Sequence, residues 1–334
     1  MTDKETIVRL LKNTDRFLVT THLRPDGDAV GSLAGMCRTL IKRGAEVQYT
    51  LASPVPDTFA FLLDGLMAVE PDKLRMDTYD VILVLDSGDF PRTGLEENLR
   101  ALALPVVNID HHSTNPEFGT FNWVDSQASS TAEMVTMLIL AAGLPLDDAV
   151  AQALYLGMFT DTRFFQNDSI RPNTFDMLSR LLATGLDPSS VIRVLTHNKS
   201  LIDIKTLGIG LAGAQCLMDG RITFTVVRHA ALAAIGATTQ HCWSAGLFSQ
   251  LNAVRKAIAT VCFVEDEDGR TYCEFRAKYG FDVRAVALEF GGGGHRAASG
   301  CSQLKPVDEM RDAVLEVLNG QMKAFLEEHP QPAE

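Results

Sequence analysis

The first half of the chain alternates short apolar runs with stretches whose apolar residues recur at helical spacing. Residues 17–21 read as a buried strand. Val30, Leu33, Ala34, Cys37, Leu40 and Ile41 form one face of a helix over 30–43, which Gly44 stops. Residues 47–51 form a second strand. The continuous apolar run 81–85, flanked by Asp80 and Asp86, has the pattern of a central parallel strand, and 105–109 is another. Ser130 and Glu133 read as a capping box that opens a helix through Leu140. Residues 147–159 and 173–183 are helical by period. This alternation predicts an α/β fold whose parallel sheet carries helices on both faces.

Beyond Gly185 the pattern changes. Residues 186–199 read as a short helical bridge and 201–216 as a longer connecting helix. Strands follow over 221–227, 257–264 and 271–276, the last two joined as a hairpin by the polar turn 265–269. Residues 282–290 and 307–325 are helical by period. The expected organisation is an N-terminal domain over 1–190, a linker helix over 191–208, a smaller mixed-sheet α/β domain over 209–326, and a frayed polar tail over 327–334. A length of 334 residues suits two such domains.

Composition narrows the class. Hydrophobic residues at 46% and charged residues at 22% exclude a disordered, collagenous or coiled-coil chain. The longest apolar stretch, 134–146, is too short to span a bilayer. Residues 1–13 contain acids and lack the basic start and apolar core of a signal peptide, so a cytoplasmic protein without a membrane partner is expected. The six cysteines are scattered without a CxxC pair, and most read as small buried hydrophobes. A net charge of −12 is a poor match for long duplex DNA but leaves open small phosphorylated substrates, whose charge metal ions can meet.

The candidate chemistry lies at the ends of the strands. The first runs into His22, Asp26 and Asp28, the next into Asp86, and a third into Asp110, His111 and His112. Asp161 follows an apolar helix. The carboxyl ends of strands are where ligands bind in an open α/β sheet. Taken singly, each piece is ordinary: Asp-Gly-Asp makes turns, and Asp caps helices. Together they place carboxylates and imidazoles, with no thiol, at four element ends. That donor set suits Mn²⁺ or another divalent ion. Six ligands exceed what one ion takes when a water site stays open. Two ions sharing a carboxylate fit better, an arrangement used for phosphoryl transfer.

These motifs resemble those of the DHH phosphoesterase superfamily: His22-x3-Asp26-x-Asp28, Asp86, Asp110-His111-His112, and Asp161 within Gly157-Met158-Phe159-Thr160-Asp161-Thr162. The resemblance implies that His22, Asp26, Asp28, Asp86, His111 and Asp161 bind two divalent ions, Mn²⁺ or Mg²⁺, with Asp86 as the bridge. Asp110 would stand behind the ligands or bind weakly, and His112 would face the scissile phosphate. The segment Phe290-Gly291-Gly292-Gly293-Gly294-His295-Arg296-Ala297-Ala298-Ser299-Gly300 resembles the DHH-associated C-terminal domain. On residues alone a glycine run is a flexible turn, and Arg276 is equally well a solvated strand charge or an anion clamp. The resemblance implies a substrate-binding loop of Gly292, Gly293, Gly294, His295 and Arg296, aided by Arg276.

Domain order and length are similar to a short branch of the superfamily. That likeness implies hydrolysis of short oligonucleotides, linear dinucleotides and 3′-phosphoadenosine 5′-phosphate to mononucleotides by water attack at a two-metal centre. It also implies that the second domain closes over the cleft, and it is compatible with a homodimer. The alternatives are a cyclic-dinucleotide phosphodiesterase, a pyrophosphatase or polyphosphatase, and a nucleotide-binding regulator without catalysis. One departure stands out. After Thr162 the branch commonly has Gly, any residue, then Phe, where this chain has Arg163-Phe164-Phe165. Arg163 there either reaches a phosphate or makes a surface ion pair. His197, His229, His241 and His329 lack partners at ligand spacing and read as structural or solvated.

Overall fold

In the computed structural model, which describes residues 2–166, 169–197 and 199–329, the chain forms two units, Met1–Asn198 and Lys199–Glu334. The first runs α1 (Asp3–Asn13), β1 (Arg16–Thr20), α2 (Gly27–Arg43), β2 (Glu46–Tyr49), α3 (Asp57–Ala60), β3 (Val81–Leu85), α4 (Glu96–Ala101), β4 (Val106–Asp110), β5 (Phe121–Val124), α5 (Thr131–Ala142), α6 (Asp148–Asp161), α7 (Pro172–Leu182) and α8 (Pro188–Thr196). Its five strands pair in parallel in the order β2-β1-β3-β4-β5.

Continuous apolar strands arise because both faces are covered. Phe17, Val19, Val81, Leu83, Leu85, Val107 and Ile109 pack into the core shared with α2, α5 and α6. Leu18, Ile82 and Val84 point the other way, against Tyr79, Phe90, Leu95, Leu99 and Leu102. The chain leaves β1 toward β2 on one side and returns to β3 on the other. This makes the carboxyl ends of β1 and β3 the switch point of the sheet, where a crevice opens.

Three features of this unit differ from the pattern reading. Helix α1 is opened by a capping box of Thr2 and Glu5, and β5 adds a half-buried edge strand; neither was expected. Helix α2 begins earlier than position 30 because Asp26 is its N-cap, and Ile41 is exposed where the helix emerges from the core. Its first three turns are instead buried on all sides. A Cβ at Gly31 would lie 2.5 Å from the Ala153 carbonyl oxygen, and one at Gly35 2.6 Å from the Leu154 side chain. Helices α2 and α6 therefore meet at backbone distance, which sets Asp28 beside the end of α6.

The second unit runs α9 (Leu201–Ala212), β6 (Gln215–Leu217), β7 (Ile222–Val227), α10 (His229–Ala233), α11 (Thr239–Ser244), α12 (Leu247–Asn252), β8 (Ala259–Glu265), β9 (Arg270–Ala277), α13 (Val283–Glu289), β10 (Gly293–His295), β11 (Ala298–Leu304) and α14 (Val307–Glu328). The sheet order is β10-β11-β9-β8-β7-β6, parallel between β7 and β8 and antiparallel elsewhere. Phe263 and Phe275 face the core beneath α13 and α14, while Cys262, Val264 and Tyr272 face Trp243, Phe248 and Leu251. The β8–β9 hairpin forms as expected. The long helix expected over 201–216 ends at Ala212, ahead of Gly213, and the chain enters β6. The span 191–208, read as a linker, holds the end of α8 and most of α9. Of the tail, residues 330–334 lie outside the described residues.

Cys216 is exposed and the other five cysteines are buried free thiols. No described helix is long and apolar enough to cross a membrane.

The glycine contact between α2 and α6 is testable. Gly31→Val would drive two methyls toward the Ala153 backbone and should destabilise the protein by about 1–3 kcal/mol. Thermal unfolding measures it, and an unchanged midpoint would show that the helices can part without cost.

Candidate metal centre and substrate surface

Strands β1, β3 and β4 deliver their terminal side chains to one place. His22 is 6% exposed, and its Nδ1–H donates to the Leu23 carbonyl 2.8 Å away. That bond fixes the tautomer and turns Nε2 inward, 3.6 Å from Asp86 Oδ2 and 3.8 Å from Asp26 Oδ1. His111 Nε2 lies 3.7 Å from Asp86 Oδ1, 3.6 Å from Asp161 Oδ2 and 4.0 Å from Asp28 Oδ2. The two oxygens of Asp86 thus face different imidazoles. Asp86 has φ of +56°, so the chain breaks from β3 in the left-handed region at this residue, a conformation Asp tolerates better than most side chains.

Asp28 and Asp86 are 1% and 2% exposed. Among the described residues no Lys or Arg forms an ion pair with Asp26, Asp28 or Asp86; their charged partners are histidines. The compensation comes instead from helix termini. Asp28 accepts from the amides of Thr131 (2.7 Å) and Ala132 (2.9 Å), the first residues of α5. Thr131 Oγ1 donates to Asp86 Oδ1 at 3.0 Å. Asp26 caps α2 through the amides of Asp28 and Ala29. This support is incomplete. Burial, with the charges of Asp86, Asp161 and Asp26, pushes the Asp28 carboxyl well above its ordinary range. Burial likewise raises Asp161 to about 6, against the opposing charge of His111. His22 moves the other way: burial would lower it, but bonding to Asp26 and Asp86 holds it up at about 10.

This donor set fits divalent cations. Three groups of ligand atoms lie within 4.8 Å of one another: His22, Asp26 and Asp86; Asp28, His111 and Asp161; Asp86, His111 and His112. Asp86 belongs to two of them. His112 is committed elsewhere as well, since its Nδ1–H donates to Asp110 Oδ1 at 2.7 Å. Asp110 is fully buried and also accepts from Asn115 Nδ2 at 2.7 Å, and Asn115 bonds to Asn108 and to the Ser87 carbonyl. Bonding to Asp110 raises the His112 pKa despite burial, and bonding to His112 and Asn115 holds Asp110 low where burial would raise it.

Sequence reasoning missed Asn115, Asn108 and Thr131. Only Thr131 carried a signal, its place at the start of a helix whose cap was visible. That cap is half of what was expected. Ser130 Oγ accepts from the Glu133 amide, but Glu133 reaches Ser129 and Thr174 instead of completing a capping box. Its buried carboxylate thereby ties the start of α5 to α7.

The turn after Asp161 is strained. Arg163, Phe164 and Phe165 have φ of +50°, +64° and +60°. Left-handed geometry costs roughly 1–2 kcal/mol for each such residue. Among the described residues Arg163 makes no ion pair, so the surface-pair expectation for it fails.

The glycine segment of the second unit is not a loop. Gly293–His295 forms edge strand β10 against Ala298–Leu304, and Arg296 lies in the turn between them. Gly292 has no room for a side chain, since a Cβ would sit 2.2 Å from the Gly300 carbonyl oxygen. Close packing between strands therefore accounts for this glycine. The register pairs His295 with Ala298 and Ala298 with Arg276, so His295 and Arg276 share one sheet face with a small residue between them. Arg276 is not simply solvated. It donates to Glu274 Oε2 at 3.2 Å and to the Phe275 carbonyl at 2.8 Å, and its guanidinium lies 5.9 Å from the Phe248 ring centre. Arg296 is exposed and points toward Asp282, away from this group.

Residues 16–158 match the N-terminal domain of the DHH family and residues 234–324 match the DHHA1 domain. The chain belongs to the DHH family of phosphoesterases. It is 29% identical over 310 residues to the bifunctional oligoribonuclease and PAP phosphatase NrnA of Thermus thermophilus, covering 91% of this chain and 89% of that one. It is 26% identical over 304 residues to the protein of the same name from Bacillus subtilis, covering 90% and 93%. Among solved structures, an exopolyphosphatase-related protein from Bacteroides fragilis shares the fold, with a TM-score of 0.84 at 22% identity over 97% of this chain and 96% of that one.

The shifted groups set the pH response of metal binding. Ligation needs neutral imidazole and ionised carboxylate. Without metal at pH 7, His22 holds a proton that an ion must displace, and the raised Asp28 carboxyl resists the ionisation that ligation needs. Binding of Mn²⁺ should therefore release at least about one proton at pH 7, and affinity should rise as pH increases through about 6, where Asp161 ionises. Calorimetry in buffers of different ionisation heat counts the protons. His22→Gln should lower the count by about one, and proton uptake on binding would contradict the arrangement.

Proposed function

We propose that the protein hydrolyses short oligonucleotides, linear dinucleotides and 3′-phosphoadenosine 5′-phosphate to mononucleotides. The observation that carries this reading is Asp86, buried at the switch point of the sheet, with one carboxylate oxygen toward His22 and the other toward His111. His22, Asp26 and Asp86 would hold one divalent ion and Asp28, Asp86, His111 and Asp161 another, Mn²⁺ or Mg²⁺. Such ions supply charge stabilisation at phosphoryl oxygens and an activated water. The rest is the work of the chain. Asp110 and Asn115 orient His112 and favour its protonated ring, which would meet charge on the phosphate or give a proton to the leaving oxygen. In the second unit, Arg276, His295 and the backbone of Gly292 to Gly294 contribute binding of the nucleotide, with Arg296 at the margin. Thus we assign metal binding to the first domain and substrate binding to the second.

The names of the Thermus and Bacillus relatives support the substrate class. The acidic balance of the chain supports short substrates over long duplex DNA. We place the protein in the cytoplasm, where its free thiols stay reduced, and a homodimer is compatible with this reading.

The test is product release by metal-stripped protein after Mn²⁺ is restored. The panel holds a 5′-phosphorylated dinucleotide, an RNA of about 24 nucleotides, 3′-phosphoadenosine 5′-phosphate, cyclic di-AMP and pyrophosphate. Rapid cleavage of the dinucleotide and the bisphosphate, with slow attack on the long strand, is expected. Asp28→Ala and Asp110→Ala should each lower kcat by at least about 10²-fold without unfolding the protein. Cleavage of pyrophosphate alone would overturn the substrate assignment.

A further inference from the structure

The strained turn after Asp161 holds an aromatic ring in an unusual setting. Tyr155 and Phe159 stack along α6 with ring centres 5.9 Å apart and planes 15° apart. Phe164 continues the column, 4.6 Å from Phe159 at 24°. Phe159 is 6% exposed, whereas Phe164 is 44% exposed. The column therefore starts in the core and ends at the surface. Phe164 stands three residues from Asp161, so their Cα atoms can be no more than about 11 Å apart. Its backbone is pinned by the bond from its amide to the Phe159 carbonyl at 2.8 Å, within the three-residue left-handed run. Backbone strain of this kind persists where the surroundings fix it, and it clusters at ligand sites.

Core packing does not account for Phe164. Phe165, its neighbour, supplies the packing contact, joining the core of the first unit and meeting Phe159 edge-on at 5.3 Å. We propose that Phe164 is a stacking platform for a nucleobase whose phosphate lies at the Asp/His cluster. The ligand is planar, aromatic and joined through a sugar to a phosphoester, because a ring beside a cation centre that takes phosphate meets both parts of a nucleotide at once. Stacking of this type is tolerant of base identity. The platform would favour nucleotides over phosphorylated substrates without a base, including pyrophosphate. This inference rests on the nucleotide reading given above.

The experiment compares a dinucleotide with an abasic dinucleotide, a ribose phosphodiester of the same length without bases. For Phe164→Ala, the ratio of kcat/KM on the dinucleotide to kcat/KM on the abasic substrate should fall about tenfold, mainly through KM. Phe164→Trp should retain the ratio. An equal loss on both substrates would show that the turn serves only to place Asp161 and would overturn the platform, as would an unchanged ratio. A second readout separates this idea from the proposed activity. Trp fluorescence of Phe164→Trp, corrected for the wild-type signal, should be quenched by adenosine 5′-phosphate and not by ribose 5-phosphate. If the wild type cleaves no nucleotide, the proposed activity fails, and the quenching alone decides the platform: its presence supports stacking and its absence refutes it.

Discussion

Like charge held out of water is the constraint on which the first unit is built. Asp28 and Asp86 are almost fully buried, and Asp26 and Asp161 join them around His22 and His111. Carboxylates in such a setting are costly unless hydrogen bonds or cations meet them. The chain supplies hydrogen bonds first. The start of α5 donates two amides to Asp28, and Thr131 bonds to Asp86. Those donors stay in place because Glu133 anchors the start of α5 through Ser129 and Thr174, and because the glycines of α2 let α6 approach at backbone distance. What the hydrogen bonds leave over is seen in the raised Asp28 and Asp161 carboxyls and in the protonated His22. Divalent ions would meet that remainder.

A different balance holds at the next pair of residues. Asp110 is as buried as Asp28, yet it stays ionised because His112 and Asn115 bond to it directly. Two buried aspartates in one unit thus take opposite protonation preferences from their neighbours alone. The first we propose as a cation ligand, and the second orients an imidazole. The second unit handles its charge at the surface instead, where Arg276 leans on Glu274 and Phe248. A partly exposed ion pair of that kind is weak.

Much of this was legible along the chain, and the reasons are local. Strand β3 announces itself because both faces are buried and every residue is apolar, and β4 through Val106, Val107 and Ile109. His22, Asp86 and His111 stand out because each follows such a run. What escaped depends on contacts far apart in sequence. Asn115 matters only through Asp110 and Ser87, and nothing in its own neighbourhood marks it. The short helices α10 to α12 have too few turns to show a period. The glycine segment pairs as strand β10 because Gly292 packs against β11, which composition cannot distinguish from a free loop. Ile41 fell outside the core because the period of α2 outlasts the layers that cover it.

The central claim is that Asp86 is shared between two cation positions. Anomalous diffraction from crystals soaked in Mn²⁺ tests it most directly. The account predicts two peaks on opposite sides of the Asp86 carboxylate, about 3.5–4 Å apart, one beside His22 and one beside His111. A single peak, or peaks away from Asp86, would contradict it.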